Sequence, residues 1–176
     1  MSHEKKKIIL DTSVILNLFE RVATKKENLQ ELLFERFDIY STPKVIEEAT
    51  RSNKTNLTTD FMESVVSSIS PDFNSIDPEL FSEMNEKLDE GEVEVITCCL
   101  NSGYLSSLDD LAAIKFGRKL GITNLGTIVL LKIAYDNGTI NSAEASSMIS
   151  EMRHNGAYFK DMKDLAFDEY FRKYLK

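Results

Sequence analysis

The apolar residues of this chain alternate between short continuous runs and stripes at helical spacing. The run Ile8-Ile9-Leu10, closed by polar residues, is typical of a strand buried on both faces, and short strands are also predicted at 38–41, 104–108 and 122–125. Helical spacing predicts helices from 14, at 27–37, from 42, and at 61–66, 80–88, 90–101, 109–120, 127–137, 142–154 and 160–174. Strands that alternate with helices predict a parallel α/β sheet with helices on both faces.

The length and composition predict one domain over residues 1–176, with C-terminal helices from about 142. The chain has 176 residues, of which 42% are hydrophobic, and this is enough to bury a substantial core. Its formal net charge of -8 argues against a protein that coats DNA, because phosphate binding requires clustered Lys and Arg. The charge does not exclude a nuclease, since carboxylates that hold a metal ion are themselves acidic.

The two cysteines, Cys98 and Cys99, are neighbours inside a predicted helix. They show neither a disulfide framework nor zinc-ligand spacing, which favours a reducing, intracellular setting. No apolar run approaches the roughly 18 residues of a membrane span, and no signal-type apolar region follows the charged N-terminus. We therefore expect a cytoplasmic protein without a membrane segment.

Acidic residues stand where predicted strands end or predicted helices begin. They are Asp11, Glu48, Glu92 and the pair Asp109-Asp110. Taken singly, most of these acids suit the start of a helix, as N-caps, as part of a capping box or as favourable charges, and Glu48 suits a solvated helix face. Because the carboxyl ends of parallel strands share one edge of a sheet, Asp11 and Asp109-Asp110 are expected together. Clustered carboxylates repel unless a cation is present, so the joint pattern indicates a Mg²⁺ or Mn²⁺ site.

The order and spacing of several short motifs resemble those of the PIN-domain ribonucleases over nearly the whole chain. These motifs are Ile8-Ile9-Leu10-Asp11-Thr12-Ser13, Thr42-Pro43-Lys44-Val45-Ile46-Glu47-Glu48, Gly91-Glu92-Val93-Glu94-Val95-Ile96 and Leu108-Asp109-Asp110-Leu111-Ala112-Ala113. Two later segments resemble those of one subgroup, which carries a Gly-Glu-x-Glu helix and an Asp-Asp helix start. These segments are Lys119-Leu120-Gly121-Ile122 and Leu125-Gly126-Thr127. That subgroup is related to prokaryotic toxin nucleases.

The resemblance implies a three-layer α/β/α sandwich with a parallel central sheet, and metal-dependent hydrolysis of RNA phosphodiester bonds. It implies four catalytic acids, which are Asp11, Glu48, Glu92 and Asp110. It implies Mg²⁺ or Mn²⁺ as cofactor, held by Asp11, Glu92, Asp109 and Asp110, with Glu48 near the metal or orienting water. Ser13 would support the first acid and Thr127 would line the site. RNA is the implied substrate, and an antitoxin-like protein is a candidate partner.

Two other functions are compatible with parts of the sequence. A phosphatase of the haloacid-dehalogenase type also begins with an Asp at a strand end, but it requires a second acid two residues later, where this chain has Ser13. A non-catalytic binding module with the PIN fold would keep the same motifs without turnover. A nuclease assay with and without EDTA separates this module from the enzyme.

The C-terminal helices also suggest an assembly. They carry more apolar surface than a small sheet is expected to cover, and on this basis we predict a homodimer. The residues concerned are Met148, Ile149, Met152, Phe159, Met162, Phe171 and Tyr174.

Overall fold

A parallel sheet organises the chain. The computed structural model describes residues 4–51 and 56–159. Four strands lie within these ranges: β1 (Lys6–Leu10), β2 (Phe37–Ser41), β3 (Ser67–Ser68) and β4 (Leu105–Ser107). The α-helices in the same ranges are α1 (Thr12–Phe19), α2 (Lys26–Arg36), α3 (Pro43–Arg51), α4 (Thr59–Val65), α5 (Pro78–Lys87), α6 (Glu90–Ser102), α7 (Leu111–Lys119), α8 (Thr127–Asp136) and α9 (Ser142–His154). A short 3₁₀ turn lies at Phe73–Ser75.

The strand order is β3-β2-β1-β4, and every neighbouring pair is parallel. From β1 the chain adds β2 and β3 on one side, and it then crosses back to place β4 on the other side. The order therefore reverses at β1, and such a reversal leaves a crevice at the carboxyl ends of the two diverging strands. The predicted α/β fold with a parallel sheet flanked by helices is confirmed.

The central strand is buried on both faces, as its apolar run predicted. Ile8, Ile9 and Leu10 each expose 1% of their surface or less. They belong to one continuous hydrophobic core, to which the helices contribute their apolar stripes. Burial of this kind stabilises the fold in proportion to the apolar area removed from water.

The strand predicted at 122–125 is reduced to a single parallel bridge between Ser106 and Asn124. The Asn124 side chain takes the place of further ladder bonds. Its Oδ1 accepts from the Leu108 amide at 2.8 Å, and its Nδ2 donates to the Leu108 carbonyl at 3.0 Å. The strand prediction was therefore wrong in extent. Strand β3 was not predicted, because two exposed serines carry no hydrophobic signal.

The helix predicted at 142–154 is present as α9, whereas the helix predicted at 160–174 lies outside the described residues. Met148, Ile149, Met152 and Phe159 are buried within the chain, so they do not provide an exposed apolar face for a partner. Met162, Phe171 and Tyr174 are not described, and the homodimer stays a prediction. Across 4–51 and 56–159, no helix is both long enough and apolar enough to cross a bilayer.

Candidate active site at the carboxyl ends of β1 and β4

Asp11 directly follows β1 and is the N-cap of α1. Its backbone amide donates to the Ser107 carbonyl at 3.0 Å, which extends the β1–β4 ladder by one bond. Its Oδ2 accepts from Ser13 Oγ at 2.9 Å and from the Ser13 amide at 3.3 Å. Burial raises the pKa of the Asp11 carboxyl, Ser13 and Thr12 oppose this, and Asp109 raises the pKa further. Asp11 therefore caps a helix and also lies beside a second acid.

Asp109 follows β4 after one residue and is held by hydrogen bonds on both of its oxygens. Oδ1 accepts from the Thr127 amide at 2.8 Å, while Oδ2 accepts from Thr127 Oγ1 at 2.5 Å and from Asn17 Nδ2 at 3.0 Å. Burial raises the pKa of Asp109, and its partners and Arg21 oppose this. With both oxygens occupied by protein donors, Asp109 is fixed as a structural anchor at the end of β4.

Gly126 makes this anchorage possible. A Cβ atom at this position would lie 2.6 Å from the Leu108 carbonyl oxygen and 2.7 Å from Asp109 Oδ1. Because a backbone carbonyl cannot move aside cheaply, only glycine allows the start of α8 to approach β4 this closely.

Asp110 differs from its neighbour because it is exposed and caps α7. Its Oδ1 accepts from the amides of Ala112 at 2.7 Å and Ala113 at 3.0 Å. Both bonds end on the same oxygen, so within the described part of the chain Oδ2 is left for another partner. Of the two adjacent acids, Asp110 is thus better suited to bind an ion.

Glu48 reaches the same edge of the sheet from α3. Its Oε2 accepts from Thr12 Oγ1 at 2.8 Å, one residue after Asp11. The same oxygen lies against α6, since a Cβ on Gly91 would be only 2.9 Å from it. Burial raises the pKa of Glu48, Thr12 lowers it, and Asp11 raises it.

Glu92 lies in the first turn of α6 and forms a capping box with Asp89, in which its Oε2 accepts from the Asp89 amide at 3.0 Å. Burial raises the pKa of Glu92 to about 7; the Asp89 amide opposes this, and Asp11 and Asp110 add to the rise. Glu92 is therefore a capping residue and also lies within the field of two other acids.

The acids influence one another with Asp11 at the centre. Asp109 raises the pKa of Asp11, and Asp11 in turn raises the pKa of both Glu48 and Glu92. Like charges disfavour each other's ionised form only at short range. The structure thus brings the acids singled out in the sequence to one edge of the sheet.

The donor chemistry fits a hard divalent cation, although the described residues contain no preformed group of three or more side chains arranged around one point. The reason is local: each carboxylate turns to a nearby donor, such as Ser13 for Asp11 or the Asp89 amide for Glu92. A cation would favour the ionised carboxylates that burial and repulsion now disfavour. The side chains that would hold it are Asp11, Glu92 and Asp110.

Asn17 and Arg21 are site residues that the sequence did not reveal. Asn17 exposes only 2% of its surface, and its Nδ2 also donates to Thr127 Oγ1 at 3.1 Å. Arg21 Nη1 donates to Asn17 Oδ1 at 3.1 Å, which links a guanidinium to the hydrogen bonds around Asp109. The available signal was a single amide within the apolar stripe of α1, since buried polar groups are retained where they are hydrogen-bonded.

The raised pKa of Glu92 leads to a pH-dependent stability. In the unfolded chain the ordinary value is 4.5, so between that pH and about 7 only the folded state binds the proton. The contribution of Glu92 to stability is therefore greatest below pH 4.5, and it is lost as pH rises to about 7. The full shift corresponds to about 3 kcal/mol, which solvent screening reduces to about 1–2 kcal/mol.

We expect Glu92→Gln to flatten this fall, because glutamine keeps the capping box without a charge. The measurement is urea unfolding in EDTA at pH 5 and pH 8. Glu144→Gln is the matched control, since Glu144 forms the same type of capping box at the start of α9. An equal pH dependence in the wild type and Glu92→Gln would contradict the burial of a titrating carboxyl here.

Comparison with known proteins identifies the family. A comparison with curated proteins found no match to the chain. A family model described as a PIN domain matches residues 7–163, which is most of the chain. The matched segment includes β2 to β4, all of β1 except its first residue, and all the acids of the site, so this chain belongs to the PIN-domain family.

Proposed function

We propose that this protein is a metal-dependent ribonuclease that hydrolyses RNA phosphodiester bonds at the carboxyl ends of β1 and β4. PIN domains are usually nucleases, and the family match supports that type of activity. The observation that carries the proposal is the placement of Asp11 beside Asp109 across the β1–β4 ladder, with Glu48 and Glu92 in the field of Asp11. The crevice where the strand order reverses is also the usual place for a ligand in such sheets.

The residues of the site have different roles in the proposed reaction. Asp11, Glu92 and Asp110 would hold the cation, and Asp109 fixes the end of β4 through Thr127 and Asn17. Bound Mg²⁺ or Mn²⁺ supplies water activation and neutralises the charge that develops on the phosphate. Glu48 uses Oε2 for Thr12, which leaves Oε1 to accept a proton from the attacking water. Burial raises the pKa of Glu48 above its ordinary value, which makes its carboxylate a stronger base.

A non-catalytic binding module is the second candidate function. One observation favours it: the carboxylates within the described residues are engaged with local donors and do not form a preformed ligand group. The haloacid-dehalogenase-type phosphatase is less well supported, since Ser13 stands at the position of its second acid and donates to Asp11.

The test is incubation of the purified protein with single-stranded RNA in Mn²⁺, with and without EDTA. We expect cleavage that EDTA abolishes and that excess Mn²⁺ restores. RNA binding without cleavage under all metal conditions would favour the binding module. Kinship with toxin nucleases is part of the same proposal, and co-purification with a neutralising antitoxin-like protein would support it.

A further inference from the structure

A pocket of about 520 Å³ opens beside the acids and shares Asp109 and Asp110 with them. A ligand in this pocket therefore lies next to the proposed reaction centre. Most of its apolar wall comes from α7, α8 and the segment after α9, while Ser13 and Asn17 of α1 line it on another side. The apolar side chains that face it include Leu111, Ile114, Ile128, Val129 and Tyr158. Its volume lies within the usual range for small-ligand sites.

Tyr158 is the most exposed large hydrophobic residue of the described chain, with 80% of its surface in water. Its backbone is nevertheless anchored on both sides. The Ala157 amide donates to the Met152 carbonyl at 2.8 Å, and Phe159 is buried in the core. Nearby, Asn155 Nδ2 donates to the Arg21 carbonyl at 2.9 Å, which ties this segment to the end of α1. An aromatic ring on an anchored backbone can bind a flat partner with little loss of backbone conformational entropy.

Arg21 adds a positive charge to the same pocket, where Asp109 and Asp110 are the acids. It is only half-buried, and it donates to Asn17 Oδ1 through Nη1. A guanidinium offers several further donors to a phosphate oxygen. The pocket thus combines an aromatic face, apolar walls and a cation.

We propose that this pocket is a nucleotide subsite that receives one unpaired base of an RNA strand against Tyr158, with the adjoining phosphate near Arg21. The inference rests on the proposed nuclease function and adds to it a position for one base beside the reaction centre. A base within a duplex is stacked and paired on both sides, so it cannot enter without being extruded. Stacking on an aromatic ring accepts every base, so the subsite selects strandedness more than sequence.

The experiment compares wild type, Tyr158→Leu and Tyr158→Phe. Two fluorescein-labelled probes are used: a short oligoadenylate and an abasic ribose-phosphate oligomer of equal length. Binding is measured by anisotropy in Ca²⁺, and KM for the oligoadenylate is measured in Mn²⁺. We expect Tyr158→Leu to weaken oligoadenylate binding and raise KM by about tenfold, since one base stack is lost. Tyr158→Phe should match the wild type, and the abasic oligomer should bind all three proteins equally.

Phe73→Leu is the matched control. Phe73 is a partly exposed aromatic that contacts Phe81 with ring centroids 5.2 Å apart, and it does not line the pocket. The Phe73→Leu protein should bind both probes with the affinity of the wild type. Equal weakening of both probes by Tyr158→Leu, or no weakening of either, would overturn the subsite. The subsite would also be overturned if the wild type were a dimer that Tyr158→Leu converts to a monomer without a change in RNA affinity. The pocket would then bind a second copy of the chain and not RNA.

The two proposals fail in different ways. If RNA is bound with the expected dependence on Tyr158 but is never cleaved in Mn²⁺, the subsite is supported and the nuclease proposal is wrong. If RNA is cleaved with EDTA-sensitive kinetics and KM is unchanged in Tyr158→Leu, the nuclease proposal stands and the subsite is wrong.

Discussion

The Asp11→Asn variant is expected to lose RNA cleavage on the order of a thousandfold while keeping its fold, which corresponds to about 4 kcal/mol of activation barrier. Asparagine keeps the shape of the side chain and caps a helix as well as aspartate does. It removes the charge at the centre of the acid cluster, so cation affinity falls, and water activation and phosphate stabilisation fall with it. Without metal, the melting temperature should stay level or rise, because Glu48 and Glu92 lose a repelling neighbour.

Asp77→Asn is the matched control for this variant. Asp77 is also an N-cap, accepting from the amides of Glu79 at 3.0 Å and Leu80 at 3.1 Å. It lies beside Leu100 and Asn101 at the far end of α6 from Glu92. The measurements are RNA cleavage in Mn²⁺ and melting temperature in EDTA. If both variants cleave RNA like the wild type, Asp11 is only a helix cap and the active site lies elsewhere.

The Thr127→Val variant is expected to lower the free energy of unfolding by about 2–3 kcal/mol, because a buried carboxylate loses a charge-assisted hydrogen bond. Valine matches threonine in shape but has no hydroxyl to donate to Asp109 Oδ2 or to accept from Asn17 Nδ2. Cleavage should fall as well, since Asp109 fixes the chain that presents Asp110. The measurement is urea unfolding at neutral pH alongside the RNA assay.

Thr97→Val provides the matched comparison. Both threonines are fully buried, but Thr97 Oγ1 has no hydrogen-bond partner among the described residues. Replacing an unsatisfied buried hydroxyl by a methyl group is neutral or stabilising. We therefore expect Thr97→Val to unfold at the same or a higher urea concentration than the wild type. Equal losses in the two variants would mean that the Thr127 hydroxyl contributes no more than packing.

Local signals predicted the central part of the fold and of the site. The apolar run before Asp11 predicted a doubly buried strand, and a capping box was expected among the acids at helix starts, which the structure forms between Asp89 and Glu92. Both depend on residues close in sequence. The parallel order of the sheet then follows from alternation with helices, so the convergence of Asp11 with Asp109 was within reach of sequence reasoning.

The remaining features depend on tertiary contacts that no local pattern carries. Asn17 looked like part of an apolar stripe, and its role appears only once Asp109 and Thr127 arrive from distant segments. The position of Glu48 depends on the close approach of Gly91 across two helices. The loss of the strand at 122–125 has the same origin, since the Asn124 side chain replaces backbone pairing at Leu108.

The pairing of β1 with β4 also sets when the site comes into existence during synthesis. Strands β1 and β2 are near neighbours in sequence, so their pairing closes a short loop, whereas Leu10 meets Ser107 only after more than half the chain has been made. A nascent chain that has emerged only as far as α6 carries Asp11, Glu48 and Glu92. It lacks β4, which places Asp109 and Asp110 beside Asp11. Under the proposed function, such a chain is inert toward the RNA of the ribosome that is making it.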